Sequence, residues 1–450
     1  MATFTPPTTE QWKTLYDLPD LQETPSAMQT LSGFALDEQQ LRQHIADSRN
    51  LSVYVHVPFC RQLCSFCNCS IVVTRQYGLA SQYVDMLNRE IRWFGEALCN
   101  TPALESPLEK LYIGGGTPTF LMSDDLQKIS ASLANYFGQS HSSERDYCIE
   151  IDPRLFDADT AELLAQLGFN RVHFGLEDFN TQVQQAVNRK YTVERIQQSV
   201  TLARNAGLKQ VSIDLLYGLP EQTLATFNAT LKQVARMQPS RVFLRQFKYQ
   251  PCLYPAQKTL DATQLPNRMT LLDQQASAIN FWQTQGYALM GTDGFVRKGD
   301  PLHRAAQTNQ LHYNHRDYCA HRYDSQLGLG MAAVSHTPNA IWQNQSNLRD
   351  YIKQVLKLQQ AAQRGLPLNQ DDQIRRELTE KLLSNQLLKK TNFKDRYSTE
   401  FDDYFRDELT AIDKIGMNDL IDNTTDYFCL SEMGRWYARQ IAALFDSAHL

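Results

Sequence analysis

Four of the chain's nine cysteines fall within ten residues, in the run Cys60-Arg61-Gln62-Leu63-Cys64-Ser65-Phe66-Cys67 and on to Cys69. Thiolates separated by three residues and then by two can wrap three irons of a cubane cluster and leave the fourth iron open to a ligand. A structural zinc ion is the competing occupant, since it takes four ligands and Cys69 follows closely. Against zinc, one residue between Cys67 and Cys69 is an awkward bite for a tetrahedral site, and no second CxxC pair occurs. Simple electron transfer of the ferredoxin kind fits less well, because the run opens a large domain rather than a small cluster-binding one. Cys99, Cys148, Cys252, Cys319 and Cys429 lie scattered, as small buried apolar residues do. An odd count in a chain read as cytosolic argues against a disulfide framework.

A strand must end just before such a loop, and Val53 to Val57 reads as one. From about residue 50 to 250 short apolar runs alternate with helical stretches: Lys110 to Ile113, Tyr147 to Ile151, Arg171 to Phe174, Gln210 to Leu215 and Arg241 to Phe247 complete six candidate strands. In Gln222 to Met237, Leu224, Phe227, Leu231 and Val234 share one helical face, and Gly168 and Gly207 stand where helix C-caps belong. Strand-then-helix repetition predicts an α/β fold with a parallel sheet. Six units suit a partial (β/α)6 barrel better than a closed one, with a doubly wound open sheet as the alternative, and either puts the site at the strands' C-terminal ends.

Around that end other residues fit a ligand. Gly114-Gly115-Gly116-Thr117-Pro118-Thr119 follows the second strand, where glycines let backbone approach a bound molecule; a plain turn is the bland alternative. Glu150 ends the third strand, where a carboxylate can accept two ribose hydroxyls, or simply face solvent. His56, just before the loop, can assist a proton or merely pack.

Cys60, Cys64 and Cys67 with Phe66 between them resemble the CxxxCxxC signature of the radical S-adenosylmethionine (SAM) superfamily. More narrowly, YVHVPFC, the trailing Cys69, IGGGTPTFL, IEIDPR, GLEDFN, VNR and IDLLYGLP resemble, in order, the motifs of the oxygen-independent coproporphyrinogen III oxidase family, strongly from about residue 50 to 250 and more loosely to the C-terminus. The resemblance implies a radical SAM barrel with a [4Fe-4S] cluster on Cys60, Cys64 and Cys67. It implies SAM contacts from Tyr54, Phe66, Gly115, Gly116, Thr117, Glu150, Glu177, Arg189 and Asp214, the Arg189 cation suiting a methionine carboxylate and Asp214 a ribose or amine. The implied reaction is cleavage of SAM to a 5′-deoxyadenosyl radical that drives oxidative decarboxylation of tetrapyrrole propionates. An external one-electron donor such as flavodoxin or ferredoxin would feed it.

The chain also departs from that family. The stretch aligned with the family's YTSYPTA, whose tyrosine touches a second SAM, is Leu21-Gln22-Glu23-Thr24-Pro25-Ser26-Ala27. His315-Arg316-Asp317-Tyr318 replaces Phe-Gln-Gly-Tyr, Asp293-Gly294-Phe295 replaces Asp-His-Phe, and Glu177-Asp178-Phe179-Asn180 replaces Gln-Asp-Phe-Asn. Three functions therefore compete: the decarboxylation, with Arg245, Arg297, Arg316 and Arg322 meeting tetrapyrrole carboxylates; a related methyltransferase or tetrapyrrole-modifying enzyme using a second SAM; and a heme carrier on the same fold, with His312, His315 and His321 as axial ligands. The number of SAM molecules, one or two, turns on this choice.

The 450 residues exceed a single simple core, and 42% hydrophobic and 21% charged residues with a net charge of -5 describe an ordinary globular chain without bias toward nucleic acid or membrane. No signal peptide or apolar run of membrane-spanning length appears, so the expected location is cytoplasmic. The expected organisation is an N-terminal extension (1–48), the partial barrel (49–250), a barrel extension and substrate-side lid (251–355) and a mainly helical, winged-helix-like C-terminal domain (356–450).

Overall fold

Six parallel strands run in chain order through the sheet: β1 (Leu51–Val57), β2 (Lys110–Gly115), β3 (Asp146–Ile151), β4 (Arg171–Glu177), β5 (Gln210–Tyr217) and β6 (Arg241–Gln246). The computed structural model describes residues 37–46, 48–99, 101–314 and 317–446. The Leu21 to Ala27 stretch, His315 and Arg316 lie outside these residues. The expected partial (β/α)6 barrel is the observed fold, with helices α1 (Tyr77–Leu98), α2 (Ser123–Phe137), α3 (Ala158–Gln166), α4 (Val193–Asn205) and α5 (Leu224–Met237) between the strands.

Strand alternation sorts the side chains. Val53, Ile113, Ile149, Val172, Phe174, Ile213 and Val242 are buried apolar residues, while the alternate positions carry polar and aromatic groups. Register lines these up: His56 with Gly114, Glu150 with His173, Gly175 with Asp214. The strands therefore do not read as uniformly apolar, because one face lines the barrel interior and the other packs away from it. Helix ends follow local chemistry: Asp157, Thr192 and Thr223 cap α3, α4 and α5 through their side chains. In α5, Phe227, Leu231 and Val234 are fully buried, each adding about 2 kcal/mol of burial energy.

One compact unit is built from the described residues of Leu31–Gln274 with Tyr323–Pro367. In it β7 (Ser325–Leu329) pairs parallel with β1 on the side away from β2, followed by antiparallel β8 (Val334–His336), β9 (Ala340–Asn344) and β10 (Ala362–Pro367). At the N-terminal ends of the strands, Asp146 meets Lys110 Nζ at 2.5 Å and Arg171 Nε at 2.8 Å, with Arg241 at 3.9 Å. Burial alone would raise the Asp146 carboxyl, yet these cations hold it well below the usual carboxylate range. That end of a barrel serves stability rather than catalysis.

The scattered cysteines are a partial correction. Cys148 and Cys319 are buried as expected, but Cys99 and Cys252 are exposed and Cys429 is half-buried. Cys99 follows the end of α1 and Cys252 lies in a turn, places where a small residue is tolerated without burial.

Helix α1 grips the turn after β7 through a buried carboxylate. Glu90 accepts from Gly330 N–H at 2.8 Å, Asn344 Nδ2 at 2.7 Å and the Tyr351 hydroxyl at 2.8 Å. Beside it the Tyr83 hydroxyl donates to the His56 carbonyl at 2.6 Å and accepts from Met331 N–H at 3.0 Å. Burial pushes the Glu90 carboxyl up to about 7, although its three partners favour the ionised form. A folded value above the unfolded one means that stability present at acidic pH is lost as pH climbs to about 7. Glu90→Gln removes that titration. Measured by denaturant unfolding, its stability relative to the wild type is expected to rise by on the order of 3 kcal/mol between acidic and mildly alkaline pH; a difference that stays flat with pH contradicts this account.

The other unit comprises the described residues of Gln275–Arg322 and Leu368–Leu450. It contains the hairpin Tyr287–Met290 and Gly294–Arg297, and the helices Gln370–Leu383, Lys390–Tyr397, Arg406–Lys414 and Ala438–Leu444. A small antiparallel sheet of Leu388–Lys389, Tyr427–Leu430 and Ile421–Asn423 completes it. Phe393, Phe401, Phe405, Phe428 and Phe445 form its aromatic core. Here Asp293 accepts from the Tyr318 hydroxyl at 2.7 Å and from Arg439 at 3.1 Å. Among the described residues no helix is long and apolar enough to cross a membrane.

Candidate functional site

The cysteine loop is stapled at its base and clamped at its tip. Phe59–Cys60 pairs in parallel with Val72–Val73, so the chain leaves β1, loops out and returns beside its own exit. The tip rests on Val187-Asn188-Arg189. Ser65 N–H donates to the Val187 carbonyl at 3.0 Å, Asn188 Nδ2 donates to the Leu63 carbonyl at 2.8 Å, and Asn188 Oδ1 accepts from Gln62 Nε2 at 2.9 Å. Arg189 Nη1 reaches the Cys64 sulfur at 3.6 Å. Asn188 has a φ of 53°, a left-handed conformation that asparagine adopts more readily than most residues. Phe66 packs on Val183, Val187, Leu219, Phe247 and Leu260, and the Thr259 hydroxyl meets that of Ser65 at 3.0 Å.

Within this loop Cys64 is buried, Cys60 and Cys67 are half-buried and Cys69 is exposed. Burial pushes the Cys60 thiol up to about 11, with the Thr117 hydroxyl pulling the other way. Cys64 is raised by burial against the opposing pull of Arg189, and Cys67 is raised by its contact with Cys69 and by burial. Such thiols stay protonated until a cation stabilises the thiolates. Among the described residues no three His, Cys, Asp or Glu side chains close around one point as a single ion requires. A cubane asks for something wider, one thiolate on each of three separate irons, and three free thiols on one clamped loop fit that demand.

Against the start of the loop lies the glycine segment. Gly116 N–H donates to the Val57 carbonyl at 2.9 Å and Thr117 N–H to the Phe59 carbonyl at 2.8 Å. Gly115 adopts φ 113°, and a Cβ there would stand 2.5 Å from the His56 ring. A Cβ on Gly116 would stand 2.7 Å from the Pro58 carbonyl oxygen. The segment is thus a flat shelf whose missing side chains bring it within backbone contact of the loop. Glu150 is oriented beneath it by Gly115 N–H at 2.9 Å and the Tyr112 hydroxyl at 2.8 Å. His56 is buried, bonded to the Tyr54 hydroxyl and to the Ser70 carbonyl, each at 2.8 Å. Tyr54 is fully buried with Tyr112, Cys148 and Ala333 and reaches the shelf through His56.

Two ion pairs complete the strand ends. Glu177 meets Arg189 Nε at 2.7 Å, and Asp214 meets His173 Nε2 at 2.9 Å, with Arg245 at 3.8 Å. Burial would lower the His173 pKa, but the Asp214 charge outweighs it and carries the imidazole up to about 10, leaving it cationic at neutral pH. The structure therefore groups Cys60, Cys64, Cys67, Phe66, Gly115, Gly116, Thr117, Glu150, Glu177 and Arg189 around the loop and shelf, with Asp214 engaged by His173. Of the arginines considered for tetrapyrrole carboxylates, Arg245 is on β6, Arg297 bonds to Tyr287 at 3.3 Å, and Arg322 lies in the other unit. His173 and Tyr191 went unremarked in the sequence, and Asn188 was noticed only as part of the VNR motif. The polar alternation Arg171, His173, Gly175 within β4 was the available signal for the first.

Residues 54–234 match the family model described as the radical SAM superfamily. The chain is 34% identical over 435 residues to the oxygen-independent coproporphyrinogen III oxidase of Escherichia coli strain K12, covering 96% of this chain and 93% of that one. It is 33% identical over 435 residues to the enzyme of the same name from Pseudomonas aeruginosa, covering 96% and 94%. The solved structure of coproporphyrinogen III oxidase from Escherichia coli superposes with a TM-score of 0.86 over 92% of this chain and 94% of that one, at 34% identity.

Proposed function

Because the chain belongs to the radical SAM superfamily and, within it, to the oxygen-independent coproporphyrinogen III oxidase family, we propose that it oxidatively decarboxylates propionate side chains of coproporphyrinogen III. In this reading Cys60, Cys64 and Cys67 hold a [4Fe-4S] cluster, and the Gly115-Gly116-Thr117 shelf supports SAM with Glu150 on its ribose. Phe66 is at its rim, Tyr54 acts through His56, and Asp214 is in the wall. When bound, cluster and SAM would supply a 5′-deoxyadenosyl radical able to take hydrogen from an unactivated carbon; the substrate propionate would then lose CO2 and pass one electron to a one-electron acceptor to become vinyl.

The observation that carries the reading is the clamp: three free thiols on one loop, fixed by Val187, Asn188 and Arg189 within backbone contact of the glycine shelf. Holding the loop rigid keeps cofactor and shelf in register, and burial of Cys64 and His56 keeps water from the reacting face. Arg245, 43% exposed on β6 with Asp214 at 3.8 Å, is a cation suited to a propionate. The electron comes from an external one-electron carrier.

The test is anaerobic: the full chain with reconstituted cluster, reductant, SAM and coproporphyrinogen III, followed by chromatography of tetrapyrroles and nucleosides. Protoporphyrinogen IX together with 5′-deoxyadenosine and methionine is the expected outcome. Deoxyadenosine without loss of coproporphyrinogen III rejects the substrate, S-adenosylhomocysteine with a methylated product makes the chain a methyltransferase, and a filled cluster that never cleaves SAM leaves the heme carrier.

A further inference from the structure

Arg189 is a buried cation at the C-terminal end of the barrel strands, where a guanidinium would ordinarily take a carboxylate from a ligand. Here the chain brings its own carboxylate. Glu177 Oε2 lies 2.7 Å from Arg189 Nε, the two side chains being 10% and 13% exposed. The Tyr191 hydroxyl donates to the same oxygen at 3.1 Å, and its ring centroid lies 5.8 Å from the guanidinium carbon. The remaining nitrogens of Arg189 also have protein partners: Nη2 donates to the Gly175 carbonyl at 2.6 Å and Nη1 reaches Cys64.

Local backbone is arranged to make this contact. The pairing of β4 with β5 is irregular between Gly175 and Glu177, and Glu177 has a φ of 63°, a conformation that residues with a side chain adopt at a cost. Such bulges re-aim side chains beside active sites. A Cβ at Gly175 would stand 2.9 Å from Glu177 Oε1 and 3.3 Å from Arg189 Nη2, so a side chain there would push against the pair. A strained glutamate folded over a glycine onto a buried arginine occupies the position, and carries the charge, of a bound carboxylate.

The geometry points to Glu177 as a built-in occupant of the carboxylate position beside Arg189, which limits the barrel to a single SAM per chain. The inference rests on the SAM-binding reading above and deepens it. The first SAM would be held by its amine and carboxylate on the open iron, so that the methionine carboxylate Arg189 was expected to meet would not need that cation. A second amino-acid carboxylate would need it, and would meet both a filled position and a like charge. Excluding a competitor by a placed repulsive group is a general route to specificity. Arg189 then acts as a tether from β4 to Cys64 rather than as a ligand-binding cation.

The experiment counts SAM bound per filled cluster. Full-length chain, reconstituted anaerobically and left unreduced, is titrated with radiolabelled SAM, and free ligand is separated by ultrafiltration. The wild type is expected to saturate at about one SAM per cluster, Glu177→Gln at about two, and Glu177→Asp, which keeps the charge, at about one. A wild type that saturates at two overturns the inference, as does Glu177→Gln remaining at one with its cluster intact. If Glu177→Gln fails to hold a cluster, the wild-type and Glu177→Asp counts still decide, two in either overturning the proposal. No SAM on a wild type with a filled cluster is a different failure, since it removes the SAM-binding reading itself.

Discussion

Cys64→Ala is expected to lose the brown absorbance of the cluster and all SAM cleavage, with deoxyadenosine formation falling by more than about a thousandfold. Cys64 is the most buried of the loop thiols and the one that Arg189 touches. With one ligand gone, a cubane keeps only two protein thiolates and its geometry is no longer enforced. The chain should nevertheless fold, because the ties from Ser65 to Val187 and from Asn188 to Leu63 do not involve the thiol. The measurements are iron per chain after anaerobic reconstitution, the visible spectrum, and far-ultraviolet circular dichroism to confirm folding. Cys69→Ala is the comparison: its side chain is exposed at the loop rim, and it is expected to keep its iron. Equal iron loss in both variants, or retention of iron and cleavage in Cys64→Ala, contradicts the assignment of the three ligands.

What the sequence could reveal here depended on how far apart the interacting residues lie. All six barrel strands were readable because each is a run of β-branched and aromatic residues between turn signals, and the loop was readable because its ligands sit on one short segment. Gly168 and Gly207, both with φ 90°, lie just past the ends of α3 and α4, as residues at a helix C-terminus do for local steric reasons. By contrast, β7 is placed by pairing Ser325 with Leu51 and Leu327 with Val53. No local pattern records that contact, and the stretch read only as part of the barrel extension and lid. The knot around Glu90 joins helix α1 to Gly330, Asn344 and Tyr351, again across more than half the chain.

The motifs themselves changed meaning once folded. Val187-Asn188-Arg189 resembled a cofactor-binding signature, but in space two of the three residues hold the cysteine loop through backbone and amide contacts, and Arg189 is engaged by Glu177. A spacing argument sees which residue types occur together. It does not see that a neighbouring carboxylate already answers the charge. Glu177 in place of the family's glutamine is one atom type different in sequence, and in the folded chain it forms an ion pair with Arg189 at 2.7 Å.

The glycine shelf offers the second large effect. Gly116→Ala is expected to weaken SAM binding and slow deoxyadenosine formation by at least about 100-fold, equivalent to roughly 2.7 kcal/mol. A methyl group at this position would stand 2.7 Å from the Pro58 oxygen and 2.8 Å from the Phe59 oxygen. Both are backbone atoms and both are committed, Pro58 O accepting from Val72 N–H and Phe59 O from Thr117 N–H, each at 2.8 Å. Neither can swing aside as a side chain would, so the shelf and the base of the cysteine loop must separate. That separation also strains the Gly116 N–H bond to Val57 and draws Thr117 away from Cys60, whose atoms are 3.5 Å apart. Gly78→Ala provides the control: a Cβ there meets nothing within 4 Å, it lies in the first turn of α1, and alanine should leave binding unchanged. Isothermal titration of SAM into the reconstituted, unreduced chain separates the two. An unchanged affinity in Gly116→Ala would mean that SAM is held elsewhere, because no arrangement of these backbone atoms admits the methyl group without moving the surface on which the cofactor is proposed to rest.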